Sequence, residues 1–509
     1  MAEMRLTAPA LTFACLTLAA CSDAAGPRRL GPGVHIVSGA GVSDSILTVL
    51  SKPLVVEALD STGAGIPNLP ITFTAVYGQS AYPGQVSVSG SGQPYSFVNA
   101  ITTSTDSTGL ASVRVQCGGN AGNAAITVTA QGQSSAATAR YTVLAGRPVG
   151  VRAIPSDTAL YVGHQFTLRG AVVDQFGNQT SQTVQYGSPS PEVSISGNVI
   201  GGVRIGRGSY VVSATVAGTL MTDTGYVSVV PVGVLAATDN SHIYVFNTDG
   251  SGFHVLVAVH NSGIRWSPSG AEIAYDESLI GPDGDDAGGP DSLIHAVDTL
   301  GNVRTITSAS IGGVHQGPQY TRDGQWIYFA RYPGNFEGSP RGAPALWRIH
   351  PDGTGAMAMP VSAAGSYGYP TPSPDGSQLA FQVVNTETNA PFDWGGTITS
   401  LTVSTGSISS LSVYGEEPVW SPTGNVIAYL NDIGGGDDQG PIWVMNSDGT
   451  GQRAVGTGSY NPGLDWSPDG QWIVAENIPA FKLEIVNVQT GLRLPLAYTP
   501  FNTAPAWRP

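Results

Sequence analysis

The chain has 509 residues, a formal charge of −15 and an isoelectric point near 4.8. That length exceeds one ordinary domain, and the acidic balance excludes a phosphate-backbone binder, so no nucleic-acid partner is expected. Gly (67) and Pro (36) make up about a fifth of the chain while charged residues reach only 11%, which fits short strands joined by tight turns rather than disorder.

Residues 1–21 read as an export address. Arg5 opens a short n-region, Leu11–Thr17 is an apolar stretch too short to span a bilayer, and the segment ends Leu18-Ala19-Ala20-Cys21. That tetrapeptide resembles the lipobox of bacterial lipoproteins, which implies lipidation at Cys21 and a lipid-anchored place in the cell envelope, outer membrane, periplasmic or surface-facing. With Cys15 and Cys21 assigned to the leader and the anchor, Cys117 is left as a lone buried filler, and no disulfide framework is expected.

Residues 22–34 form a Gly/Pro/Arg linker. Over residues 35–148, alternating strands such as Leu54–Asp60 and Ile71–Thr74 are punctuated by turns at Ser61-Thr62-Gly63 and Asp106-Ser107-Thr108-Gly109. Spacing of this kind reads as a β-sandwich. The order of these segments, closing on Ile126-Thr127-Val128-Thr129-Ala130, resembles the bacterial Ig-like domain of the intimin/invasin type. Residues 149–232 repeat the pattern more loosely and resemble a second bacterial Ig-like domain. Both resemblances imply stalk or adhesive modules without catalytic residues.

Residues 233–509 carry a repeat: Trp266-Ser267-Pro268-Ser269-Gly270, Tyr320-Thr321-Arg322-Asp323-Gly324, Pro372-Ser373-Pro374-Asp375-Gly376, Trp420-Ser421-Pro422-Thr423-Gly424, Trp466-Ser467-Pro468-Asp469-Gly470 and a terminal Trp507-Arg508-Pro509. Successive aromatic positions are 54, 52, 48, 46 and 41 residues apart, a propeller-blade period. Each turn leads into an apolar strand such as Glu272–Tyr275 or Val426–Tyr429. A second strand follows with its own Asp-Gly turn, as in Leu346–Gly353 and Ile442–Gly449. The last copy lacks its following strand, and Val234–Thr238 supplies the missing one from the other end of the region, closing the ring. These motifs resemble the TolB-type propeller repeat, implying six four-stranded blades and a binding platform without chemistry of its own. Pro372 in place of the aromatic, and Thr321-Arg322 in place of Ser-Pro, predict less regular second and third repeats.

The fold class expected is therefore all-β, with two Ig-like β-sandwiches followed by a six-bladed β-propeller. The longest inserts (Asp276–Ser292, Arg331–Ala345, Asn385–Gly396, Asn431–Gly440) share one position in the repeat and are expected to gather on one face. Two are acidic, making Asp283, Asp285, Asp286, Asp291, Asp437 and Asp438 candidate binding-loop residues. They suit a basic partner or Ca²⁺, although their spacing matches no twelve-residue calcium loop. No zinc-protease, P-loop, redox or G-x-S-x-G signature is present; Ala364-Gly365-Ser366-Tyr367-Gly368 comes nearest to the last, and the eight histidines are scattered. The expected function is a non-enzymatic envelope scaffold whose partner is a protein or glycan, with no small-molecule substrate. The alternatives are a surface adhesin, or a hydrolase or lyase with a site in a central channel.

Overall fold

The computed structural model describes residues 30–90, 96–239, 241–277, 292–333, 344–361, 366–384, 396–431, 440–497 and 504–509. Cys21 and the whole leader lie outside these residues. The architecture is all-β and propeller-like; among the described residues the one helical segment is the single turn Ala309–Ile311. Among the described residues no helix is long and apolar enough to cross a membrane.

The chain divides into two compact units. The first comprises residues 1–149 with 173–180. One sheet orders Gly33–Ser38, Leu54–Leu59, Leu110–Cys117 and Val86–Gly90; the other orders Val42–Ser45, Ala136–Leu144, Gly122–Ala130, Pro70–Val76 and Ala100–Ser104. Alternate residues of these strands point inward, so Val56, Phe73, Val113, Ile126, Val128 and Tyr141 share one core. Cys117 belongs to the same core, and burial pushes its thiol up to about 11, which keeps it protonated and inert at neutral pH. Residues 173–180 join this unit, where a sequence division at 148/149 left them with the second module. The reason is a turn: Asn178 Nδ2 donates to Gly119 O at 2.7 Å, and Ala121 N donates to Asn178 Oδ1 at 2.9 Å.

The second unit is 150–172 with 181–509. It begins with a four-stranded sheet, in which Asp157–Tyr161 runs parallel to Thr219–Val230, and a three-stranded one, Gln165–Thr167, Val199–Gly202 and Val193–Ser196. Their residues Ala159, Tyr161 and Val230 share a core with Leu235, Phe246, Trp472, Leu483 and Trp507. Asp157 adds a charged clamp, accepting from Lys482 Nζ at 3.1 Å and Arg207 Nη1 at 2.8 Å. Lys482 is one of only two lysines in the chain.

From Val234 onward the strands form antiparallel meanders. The first sheet orders His254–Ala258, His242–Asn247, Val234–Thr238 and Ala506–Trp507. Its innermost pairing, Leu235 with Trp507 and Ala236 with Ala506, joins the two ends of the array, as the incomplete last repeat predicts. The second sheet runs from Asn261 to Thr305, the third from Val314 to Ala358 and the sixth from Asp465 to Pro495. The fourth and fifth are fused into one seven-stranded sheet, because the thirteen-residue strand Ile408–Trp420 pairs with Gly396–Thr402 along its first part and with Val426–Leu430 along its second.

The repeat turns work through a hydroxyl. Ser267, Thr321, Ser373 and Ser467 each accept, on the side-chain oxygen, the N–H of the residue five positions on, at 3.2, 3.0, 3.0 and 2.9 Å. Thr321 therefore serves as well as Ser, and the second repeat is not less regular for it. The departure falls instead at Gly424, whose backbone is not left-handed while Gly270, Gly324, Gly376 and Gly470 are (φ 65 to 71°).

Carboxylates lock the turns further. The hydroxyls of Thr321, Thr354, Ser373 and Thr450, followed by backbone N–H groups, hold Asp323, Asp352, Asp375 and Asp448 below the usual carboxylate range. A carboxyl whose folded pKa is depressed contributes stability above its unfolded pKa and loses it as pH falls through the folded value. The melting temperature is therefore expected to stay level from pH 7 to about pH 5 and to fall below about pH 4. Calorimetry of the wild type and a D323N/D375N variant checks this. An unchanged Tm at pH 3, or an equally steep fall in the variant, refutes it.

Candidate functional site

The candidate binding-loop residues Asp283, Asp285, Asp286, Asp291, Asp437 and Asp438 all lie outside the described residues, as does most of each insert. The site that the structure builds is the channel through the meander sheets, assembled from their innermost strands.

Those strands share a feature the repeat alignment overlooks. Their pairing slips at the same place: between Asn261 and Ile264, Gln316 and Gln319, Gly368 and Thr371, and Glu416 and Val419. Each slip is a β-bulge, where the unpaired residue turns its backbone away from the ladder. Pro318, Pro370 and Pro418 stand at three of them, where a missing N–H does no harm. The sequence signal was available, since Pro stands two residues before the aromatic position at 318, 370, 418 and 505.

The bulges line one chamber of about 310 Å³ with Gly263, Gly317, Tyr369, Glu417 and Gly463, together with Asp276, Gln382 and Glu416. Asp276 and Glu416 are each 2% exposed. Most of their chemistry stitches neighbouring sheets together. Asp276 accepts from Gly263 N at 2.6 Å and from Gly317 N of the next sheet at 3.0 Å. Glu417 takes Gly463 N of the sixth sheet at 2.6 Å, and Asp465 takes Trp507 N of the first at 2.6 Å. Thr371 Oγ1 accepts Trp420 N at 3.0 Å.

Burial raises the Tyr369 phenol well above its ordinary value, reinforced by Glu417, Tyr332, Glu416 and Asp276, so it remains a neutral donor. Burial also raises Asp465, against the pull of Arg265. Tyr369 (φ 52°) and Glu417 (φ 43°) hold left-handed backbone that glycine ordinarily supplies. Such residues cost on the order of 1–3 kcal/mol and concentrate where a side chain is needed in place.

Arg265 separates this chamber from a second. Its Nε donates to Gln319 Oε1 at 3.1 Å, Nη1 to Ile264 O at 3.0 Å and Nη2 to Leu464 O of the sixth sheet at 2.9 Å. Beyond it opens a funnel of about 410 Å³ walled by the repeat's own aromatic and proline residues.

Gly463 (φ 101°) marks a tight seam: a Cβ there would stand 2.9 Å from Ala504 Cα. Gly463→Ala is expected to cost about 1–3 kcal/mol, read as a lower urea midpoint at unchanged m-value. Wild-type stability in that variant would show the seam to be loose.

Other sequence candidates resolve structurally. Ser366 starts the strand Ser366–Pro372 and is 3% exposed, so it occupies no strand-to-helix elbow. His315 is fully buried between Thr307 Oγ1 (2.9 Å) and Gly312 O (3.3 Å), and His295 pairs with Glu277 at 2.8 Å. Among the described residues no group of three or more His, Cys, Asp or Glu is arranged to hold a metal ion.

No protein-family model matches the chain. An uncharacterized protein of Agrobacterium fabrum (strain C58) is 28% identical over 174 residues, 32% of this chain and 53% of the relative. The chain thus spans about half the length of the curated relative it matches. Among solved structures, TolB from Acinetobacter baumannii superposes with TM-score 0.43 at 15% identity, covering 64% of this chain and 83% of TolB. A chain of a nidogen/laminin complex gives 0.41 at 8% identity, covering 55% and 99%, and a manganese-bound oligogalacturonate lyase 0.34 at 15%, covering 53% and 74%. Likeness at this level assigns no activity. The propeller-like reading rests on the sheets themselves.

Proposed function

We propose that the chain is a non-catalytic, lipid-anchored binding protein of a bacterial cell envelope, in which two Ig-like sandwiches carry a six-bladed, TolB-like propeller. The observation that carries this reading is the use made of the channel carboxylates. Asp276, Glu417 and Asp465 each accept a main-chain N–H from the adjoining sheet, so acids that would otherwise suggest general acid–base chemistry hold the ring together. A platform of this kind presents its ligand surface on loops and channel mouths, and its partner is an envelope protein or a glycan.

Two measurements test the proposal. Cys21→Ala is expected to abolish incorporation of labelled fatty acid and to release the protein from the membrane fraction; labelling that persists removes the anchor. In vivo cross-linking of the full chain is expected to trap one saturable envelope partner, equally in wild type and Glu416→Gln. A catalytic channel is the competing reading, favoured by the left-handed Tyr369 and Glu417. Turnover of a glycan or ester substrate by wild type, lost in Glu416→Gln, would replace the platform with an enzyme.

A further inference from the structure

The funnel on the far side of Arg265 has an unusual composition for so acidic a chain. Its walls are pyrrolidine and aromatic rings, including Pro372, Pro374, Pro422, Pro468, Trp420 and Trp466. Its hydroxyls are already used: Thr371 by Trp420 N and Ser373 by Asp375. Two guanidinium groups border it, Arg265 at the floor and Arg322 at the rim. Arg322 occupies the position where the other repeats carry Pro268, Pro374, Pro422 and Pro468. It donates across the rim to the carbonyl of Pro422, two sheets away.

Both guanidiniums are permanently charged, yet they donate to neutral carbonyl or amide oxygens. Hydrogen bonds to an ionised acceptor are roughly twice as strong as neutral ones. The one carboxylate side chain in the lining, Asp465, is occupied by Trp466 N (2.9 Å) and Trp507 N (2.6 Å). Arg265 at the floor faces Asp465, while Arg322 at the rim has the Pro422 carbonyl as its acceptor. The funnel's volume lies within the range of small-molecule sites.

We propose that this funnel binds a small organic carboxylate with a flat apolar body, the anion exchanging with the Pro422 carbonyl for Arg322 while Arg265 supplies charge from the floor. The ring walls fit a planar apolar body better than a saccharide, whose hydroxyls would meet few open partners there. This deepens the reading of the propeller as a binding element, and it concerns a ligand that is held rather than consumed.

Titration calorimetry of the full chain with benzoate and its neutral isostere benzamide tests it, at low ionic strength. Benzoate is expected to bind saturably and at least about tenfold more tightly than benzamide, the fold-change of one charge-assisted bond. Arg322→Gln is expected to weaken benzoate about tenfold and leave benzamide unchanged, while Arg322→Lys restores part of the loss. Arg322 is exposed, so both changes are expected to leave the fold intact and the test does not depend on Arg265 variants. No saturable benzoate binding, equal affinity for benzamide, or an unaltered Arg322→Gln titration would overturn the site. Chromatographic recovery of the ligand separates the two claims: benzoate that binds but is converted sinks the non-catalytic reading and leaves the funnel standing.

Discussion

Deletion of Trp507–Pro509 is expected to unfold the meander region or lower its melting temperature by 10 °C or more, on the order of what losing 3–5 kcal/mol does to a domain of this size. Trp507 is 4% exposed and packs in a core with Leu235, Phe246, Trp472 and Leu483. Its loss removes that burial and the pairing with Leu235, and leaves Asp465 without one of the two N–H groups it binds. The inner edge of Val234–Thr238 would then be an open template for another chain. Arg508 adds to the latch, donating Nε to Gly270 O at 2.9 Å and lying over the Trp266 ring at 5.1 Å. Thermal unfolding with size-exclusion chromatography reads both effects, with Trp507→Phe as the milder control. A truncate that melts like the full chain and stays monomeric would show that the first sheet does not need its last strand.

The second large effect is expected at Asp276. Asp276→Ala strands the N–H groups of Gly263 and Gly317 at once, in a site where the carboxylate was 2% exposed, and is expected to destabilise by about 2–4 kcal/mol. Asp276→Asn keeps one acceptor oxygen, so it is expected to lose roughly half as much. Chemical denaturation of both variants against wild type provides the comparison. Equal stability of wild type and Asp276→Ala would mean that chamber water replaces the carboxylate, and the stitching account of the channel acids would fall with it.

The turn repeat made the meander sheets legible because it couples backbone and side-chain demands in five residues, and those demands recur every 41 to 54 positions. Closure by the terminal Trp507 was legible for a similar reason: an incomplete last unit left one strand unaccounted for at each end. The channel was not. Asp276, Glu416 and Glu417 lie outside the aromatic-Ser-Pro-Asp-Gly motif and sit at different offsets from it, and their convergence depends on bulges that sequence period does not encode. The Pro at positions 318, 370 and 418 was the trace of three of those bulges, hidden because one proline in a strand reads as a turn residue. Conversely, Arg322 stands out in the sequence as a departure from the repeat and reads there as a local irregularity. Its reach to Pro422 is a tertiary fact, set by sheets that sequence alone does not place face to face.

The strand Ile408–Trp420, shared by two sheets, has a consequence for motion. Other neighbouring sheets are linked by connections that permit one to open while the next stays shut. Here a single backbone is the outer strand of the fourth sheet and the inner strand of the fifth, so exchange of its amides with solvent requires both to yield together. Native-state hydrogen exchange should therefore report one shared opening energy across residues 396–446, where the remaining sheets each report their own.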